Sequence, residues 1–438
     1  MDPLSKISRV RCTTPRVVKG KRSQRRVSCE RIRRSSVYQS VSVPVMDKKT
    51  HDSSSLNMFC KILEFSCTWK VIPYNWNSVM KRFSPIDPTD LRGQVAIKLH
   101  SGIMYAVTIF SFVRLIMNVG KDRDEFPLMM KIVNVSWLLA SIQVSAIFLN
   151  NWALRGDVMQ YGNRVLEKIV RQGSQGKYPY SDALWTGMVF LFLNPLPHGL
   201  VAMHTPCAPN LLSSIVLSCA CIGDHDHAKF GYGMLLLMGC WELYFMTVIF
   251  IQAFLAWAFV YLGVSYATRE MNGMSQDSYL KVNDFFRSMG IPLEVGIKTY
   301  LDLQRIINLL NVACKPYLAT FPILLMAICS ILLFGSIRLW DVDFRADTVF
   351  PFCAIRCAFE TFSQILMAGQ MRWASDRLMQ HWEKGMMKAR YRKMFTSVAK
   401  SGVKVKAGIF FTFSRWVVVI SVHNFIEQTL NLLVSVES

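Results

Sequence analysis

The sequence predicts an all-α integral membrane protein with seven transmembrane helices, a cytosolic N-terminus and an extracellular C-terminus. Three observations carry this expectation. Apolar residues make up 52% of the 438-residue chain, and they are bunched into stretches of about 20 residues or more, the length that crosses a hydrocarbon core about 30 Å thick. The formal net charge of +21 is concentrated in a tail and in alternate loops. No nucleic-acid-binding pattern accompanies it, so membrane topology explains the charge without a nucleic-acid partner. The twelve cysteines are scattered and several fall inside apolar stretches, unlike a secreted disulfide framework.

The elements follow in order. Residues 1–55 form a basic cytosolic tail, expected to be disordered: twelve Lys or Arg lie between Lys6 and Arg34 with no apolar run, which suits the anionic inner leaflet or, alternatively, a mitochondrial transit peptide. Residues 56–96 mix Phe59, Trp69, Tyr74 and Trp76 with Pro73, Pro85 and Pro88, a juxtamembrane amphipathic segment. Six spans then make up residues 97–371: Ile97–Val119, Lys131–Leu154, Leu184–Thr205, Gly231–Val264, Tyr317–Trp340 and Thr348–Met371. Pro195 and Pro197 should kink the third, and the fourth is long enough to tilt or to run on into solvent. Leu211–Ile222 is too short to span and is placed in a loop. Within the cytosolic loop 268–315, Ile297, Leu301, Ile306, Leu309 and Leu310 recur at helical spacing. A basic cytosolic loop (372–404) precedes the last span, Val405–Val436, in the segment 405–438.

Charge fixes the sidedness. Arg155, Arg164, Lys168, Arg171 and Lys177 follow the second span, and nine Lys or Arg from Arg372 to Lys404 follow the sixth. The loops after the first and fifth spans carry Asp122, Asp124, Glu125, Asp341, Asp343 and Asp347 and belong outside. Seven spans from a cytosolic start put the C-terminus outside, the reverse of a G-protein-coupled receptor. Channels, transporters and membrane enzymes stay open as classes. Enzyme signals are weak, with no phosphate loop, His-Glu-x-x-His or Gly-x-Ser-x-Gly, and no internal repeat marks a transporter.

Several constellations stand out. Ser414, Ser421, Asn424, Gln428, Asn431 and Ser435 share one face of the last span. Such a stripe must meet protein or water. It serves either hydrogen bonding within one bundle or a wetted pore built from several copies, with Glu427 beside it favouring cations. Arg356 and Glu360, four apart in the sixth span, pair as a structural element or as the polar floor of a cavity. Glu242 stands alone in the fourth span. Trp137, Phe190, Phe192, His198, Trp241, Tyr244, Phe359 and Phe362 are either plain packing or an aromatic-lined pocket for a small apolar molecule. Cys219, Cys221, His225 and His227 have zinc-like spacing, but no second pair supports a metal, and no metal or cofactor is expected.

The layout resembles the arthropod chemoreceptor superfamily, the gustatory and odorant receptors. Gustatory members close their last span with Thr-Tyr, five mostly apolar residues and Gln-Phe. Here Asn424-Phe425, Ile426 to Leu430 and Asn431-Leu432 occupy the equivalent stretch, and Lys406 to Phe411 looks like the family's small-Gly-x-Phe entry to that helix. The resemblance implies a ligand-gated, non-selective cation channel in the plasma membrane, not an enzyme. It implies a homo- or hetero-tetramer, with or without a co-receptor. Its last span would line the pore with Ser421, Asn424, Glu427, Gln428, Asn431 and Leu432. Asn431 would stand at the motif's Gln, and Gln428 where members place an apolar gate. A tastant or odorant would bind among Trp137, Phe190, His198, Trp241, Tyr244, Arg356, Phe359 and Glu360.

Overall fold

The computed structural model describes residues 54–118, 120–121, 126–173, 181–208, 210–211, 213–216, 231–280, 293–341, 345–385 and 402–435. The basic tail and the Cys219 to His227 cluster lie outside the described residues.

Seven helices are long and apolar enough to cross a membrane. These are α2 (Leu91–Asn118), α3 (Leu128–Ala153), the pair α5 (Ser181–Leu193) and α6 (Pro195–His204), α8 (Tyr232–Leu280), α10 (Lys315–Arg338), α11 (Phe350–Gly385) and α12 (Arg415–Ser435). Shorter elements are α1 (Ser54–Thr68), α4 (Arg155–Gly173), α7 (Ser213–Val216) and α9 (Leu293–Ala313). This is an all-helical, multi-pass membrane protein. The third span breaks at its prolines as expected. Asn194 separates α5 from α6 and turns its side-chain Nδ2 back onto the Phe190 carbonyl at 2.9 Å.

The core forms where α8, α10 and α11 meet, with α3 closing one side. Trp257 of α8 is fully buried. It stacks on Tyr261 (5.1 Å), touches Phe359 of α11 (5.4 Å) and donates to Ser363 Oγ (3.0 Å).

Five stretches differ from the sequence expectation, where tertiary contacts override local pattern. Residues 56–96 do not lie flat as a surface segment. After α1 the chain forms an antiparallel hairpin, β1 (Tyr74–Asn77) with β2 (Arg82–Pro85), and Phe59, Leu63, Val71, Ile72, Tyr74 and Phe83 join the core. Buried non-helical backbone must find hydrogen-bond partners inside the protein. Here Gln252 of α8 donates to the Val71 carbonyl, and Asn151 donates to Gln252 at 2.9 Å. The loop after the second span is a helix, α4, joined to α9 by Lys168 and Asp302 at 2.6 Å. The sixth span runs past Met371 to Gly385 because Ala374, Leu378 and Trp382 still bury an apolar side, with Trp382 edge-on to Tyr300 of α9 (5.7 Å). Helix α8 likewise continues to Leu280, into the segment expected as loop. The last helix starts at Arg415, not Val405. Residues 406–412 form a second hairpin, β3 (Lys406–Ala407) with β4 (Phe411–Thr412), turned by Gly408 at φ +57°. That left-handed conformation is open to glycine at no steric cost.

Asp90 caps α2. Its Oδ1 accepts from the Gly93 N–H at 2.9 Å, and that bond, with Lys70 beside it, holds the carboxyl below its ordinary value.

Candidate ligand cavity and exposed last helix

Helices α3, α8, α10 and α11 enclose a cavity of about 120 Å³. Its walls are mostly aliphatic and aromatic, from Ala140, Val144 and Ile147 of α3 to Leu325, Ile328 and Leu332 of α10. The polar groups are few. Arg356 and Glu360 of α11 lie one turn apart, with Arg356 Nε and Nη2 both donating to Glu360 Oε1 at 3.0 and 2.8 Å. Their side chains are 12% and 9% exposed. The Arg356 guanidinium also sits over the Phe250 ring, 4.4 Å from its centroid, a cation–π contact that helps hold a charge away from water. Ser136, Ser141, Gln143 and Tyr317 add further polar atoms to the lining.

Of the residues expected to contact a ligand, Trp137, Arg356 and Glu360 line this cavity. His198 stands behind it, 5.2 Å from Trp137 and 5.8 Å from Phe250. Phe190 and Phe359 pack on each other at 5.6 Å, in the contact of α5 with α11. Trp241 and Tyr244 line a separate small hollow beside His100, whose Nε2 is 2.7 Å from the Tyr244 hydroxyl. The sequence reading missed Gln143, Ser136 and Tyr317 of the lining. A polar residue within an apolar span was the signal, and it was followed in the sixth and seventh spans but not in the second.

The last helix presents the opposite environment. Only 6% of its apolar window is buried, through Thr429. Asn424, Glu427, Gln428 and Asn431 are exposed, while Ser421 and Leu432 are half-buried against the body. Gln428 Oε1 accepts from Ser330 of α10 at 3.5 Å, so it sits at the margin of the exposed face. Ser414 precedes the helix. His423, not singled out from sequence, lies 3.7 Å from Glu427.

Two solved structures of the insect olfactory receptor OR5 from Machilis hrabei, one in complex with eugenol, superpose on this chain. Their TM-scores are 0.55 and 0.56, at 11% and 9% identity, and each match covers 86% of this chain and 97% of theirs. The chain has the insect olfactory receptor fold. No protein-family model matches it, and neither does any curated protein sequence. Among the described residues no group of His, Cys, Asp and Glu has the makings of a metal site. Cys207, just beyond α6, is disulfide-bonded.

Proposed function

We propose that this chain is a subunit of a chemosensory receptor of the plasma membrane, a ligand-gated, non-selective cation channel that opens on binding a small tastant or odorant. The observation that carries the reading is the last helix. A membrane-spanning helix with 6% of its window buried and a row of amides and a carboxylate on its free side is costly against lipid. Further copies of the same helix around a water-filled axis satisfy that row, and the insect olfactory receptor fold supports this arrangement. The assembly is a tetramer, homomeric or with a co-receptor, and Glu427 beside Asn424 and Asn431 favours cations. The enclosed cavity supplies the ligand site. A ligand that fits it better in one state than the other shifts the equilibrium between closed and open.

The N-terminus is cytosolic and the C-terminus extracellular. Supporting this, the disulfide at Cys207 falls after the third span, on the side the loop charges assign to the oxidising exterior. Whole-cell recording from cells expressing this chain, tested with sugars, bitter compounds and volatiles, is expected to show ligand-evoked cation current. Uptake or turnover without current overturns the channel reading. Epitope tags at the two ends are expected to label only the C-terminus on intact cells, and an exposed N-terminus sinks the topology.

A further inference from the structure

The cavity contains an unfinished hydrogen-bond network. Gln143 of α3 is 3% exposed and lines the cavity, yet neither its Nε2 nor its Oε1 has a hydrogen-bond partner. On the same helix face, seven residues earlier and about 10 Å along the axis, Ser136 Oγ is also buried, lines the cavity and has no partner. A carboxamide offers two donors and an acceptor. Leaving such a group buried and unpaired is costly, more so in a site walled by aliphatic side chains. Of the other polar groups of the lining, Arg356 and Glu360 form a buried pair, with both Arg356 nitrogens on one Glu360 oxygen and the guanidinium plane covered by Phe250, and the Tyr317 hydroxyl accepts from Gln364 Nε2 at 3.0 Å. The pair is balanced within itself, so a ligand ion entering the cavity brings a buried charge that no net counter-charge of the lining offsets.

We propose that this cavity selects a neutral, mostly apolar ligand bearing one hydroxyl, carbonyl or amide group, which pairs with the Gln143 carboxamide, and that it rejects hydrocarbons and ions of the same size. The inference rests on the cavity being the ligand site. Hydrocarbons fail because they leave Gln143 unpaired. Carboxylates and ammonium ions fail because the Arg356–Glu360 pair neutralises itself and leaves the lining no net charge to offset theirs. Ser136 receives a second polar group where the ligand is long enough to reach it. The volume of about 120 Å³ sets the scale, since an apolar cavity of about 150 Å³ takes a benzene ring.

The test uses benzyl alcohol, toluene, benzoate and benzylammonium as probes of one size. Binding to the purified full-length protein is followed by thermal shift and tryptophan fluorescence. Benzyl alcohol is expected to bind roughly tenfold or more tightly than each of the other three, the factor that one unpaired buried amide represents. Gln143→Met, close in volume, is expected to erase the preference over toluene and to raise the melting temperature of the empty protein, because it removes an unsatisfied group. Gln143→Leu is expected to do the same. A purely structural glutamine would lose stability on both changes. Equal binding of toluene and benzyl alcohol by the wild type, or an alcohol preference surviving both variants, overturns the inference and leaves the cavity reading standing. Ala140→Phe, which fills the cavity, is expected to abolish binding of the alcohol. Binding that survives it, or no binding of any probe to the wild type, overturns the cavity as ligand site and the inference with it.

Discussion

The fourth and the last spans are both apolar helices, with window hydropathies of 2.1 and 1.4, yet 67% of one window is buried and 6% of the other. Polar residues occur in both. In α8 two of them are absorbed within the chain: Gln252 links the Val71 carbonyl to Asn151, and Thr268 bonds back to the Val264 carbonyl at 2.8 Å. In α12 Asn424, Glu427 and Asn431 are exposed among the described residues. The contrast teaches that polarity in a span does not by itself mark a functional face. What decides is whether the same chain supplies the partner. Most of α8 is covered by its own chain, whereas the described residues leave most of α12 uncovered.

The comparison is broken most directly at the centre of α8. Trp257→Ala removes a fully buried indole together with its Tyr261 stack, its Phe359 contact and its bond to Ser363, and is expected to cost about 3–5 kcal/mol. Loss of monodisperse protein on size-exclusion chromatography checks it, and near-wild-type yield and melting temperature contradict the assignment of α8 as core. Arg356→Met comes next. It strands Glu360 in a cavity wall where its side chain is 9% exposed, at about 3 kcal/mol. The double change Arg356→Met with Glu360→Leu is expected to restore the melting temperature, because the apolar pair needs no desolvation. A double variant as unstable as the single would show that the pair holds the helices by more than its mutual charge.

How much of this was legible in the sequence differs between the two regions for a physical reason. Spans are written in composition, so all seven could be read, and the break at Pro195 followed from a missing amide donor. The polar stripe of α12 was legible because that helix has one finished side. Helix α3 has no such side: it buries Met129, Ile132, Ser136, Gln143 and Ile147 on one face and Met130, Asn134, Leu138 and Ser141 on another, so no periodicity separates a residue that lines the cavity from one that packs. The Gln143 vacancy depends on which helices come near it, and those lie far away in sequence. The α1–hairpin insertion was hidden in the same way, since its anchor is Gln252, 181 residues from Val71. Likewise, Lys168 and Asp302 are an ordinary pair of loop charges until α4 and α9 are brought together.

The junction between the two regions offers a smaller effect. Gly369 of α11 packs so closely on the entry to α12 that a Cβ there would lie 3.1 Å from the backbone of Ser414 and Arg415, while Arg415 is clamped over Trp373 at 4.0 Å. Gly369→Ala is expected to cost about 1–2 kcal/mol by overpacking and to shift the ligand concentration for half-maximal current, because it moves the start of the last helix without touching the cavity. An unchanged dose–response curve would detach this contact from gating.

The smallest effect on stability should fall on the exposed face of α12, and there the two regions separate most cleanly. Asn431→Ala and Glu427→Ala remove side chains that the single chain does not pack, so the melting temperature should stay within about 0.5 kcal/mol of wild type. In a pore both residues meet permeating ions, and single-channel conductance or the ratio of sodium to chloride permeability should change. Glu427→Lys should change it further, by placing a ring of positive charge where the carboxylates stood. His423 lies 3.7 Å from Glu427, and His423→Ala removes that neighbour while leaving the carboxylate in place. If all of these variants conduct as wild type does, the face is exposed for a reason other than permeation, and α12 loses its place at the pore while α8 keeps its place in the core.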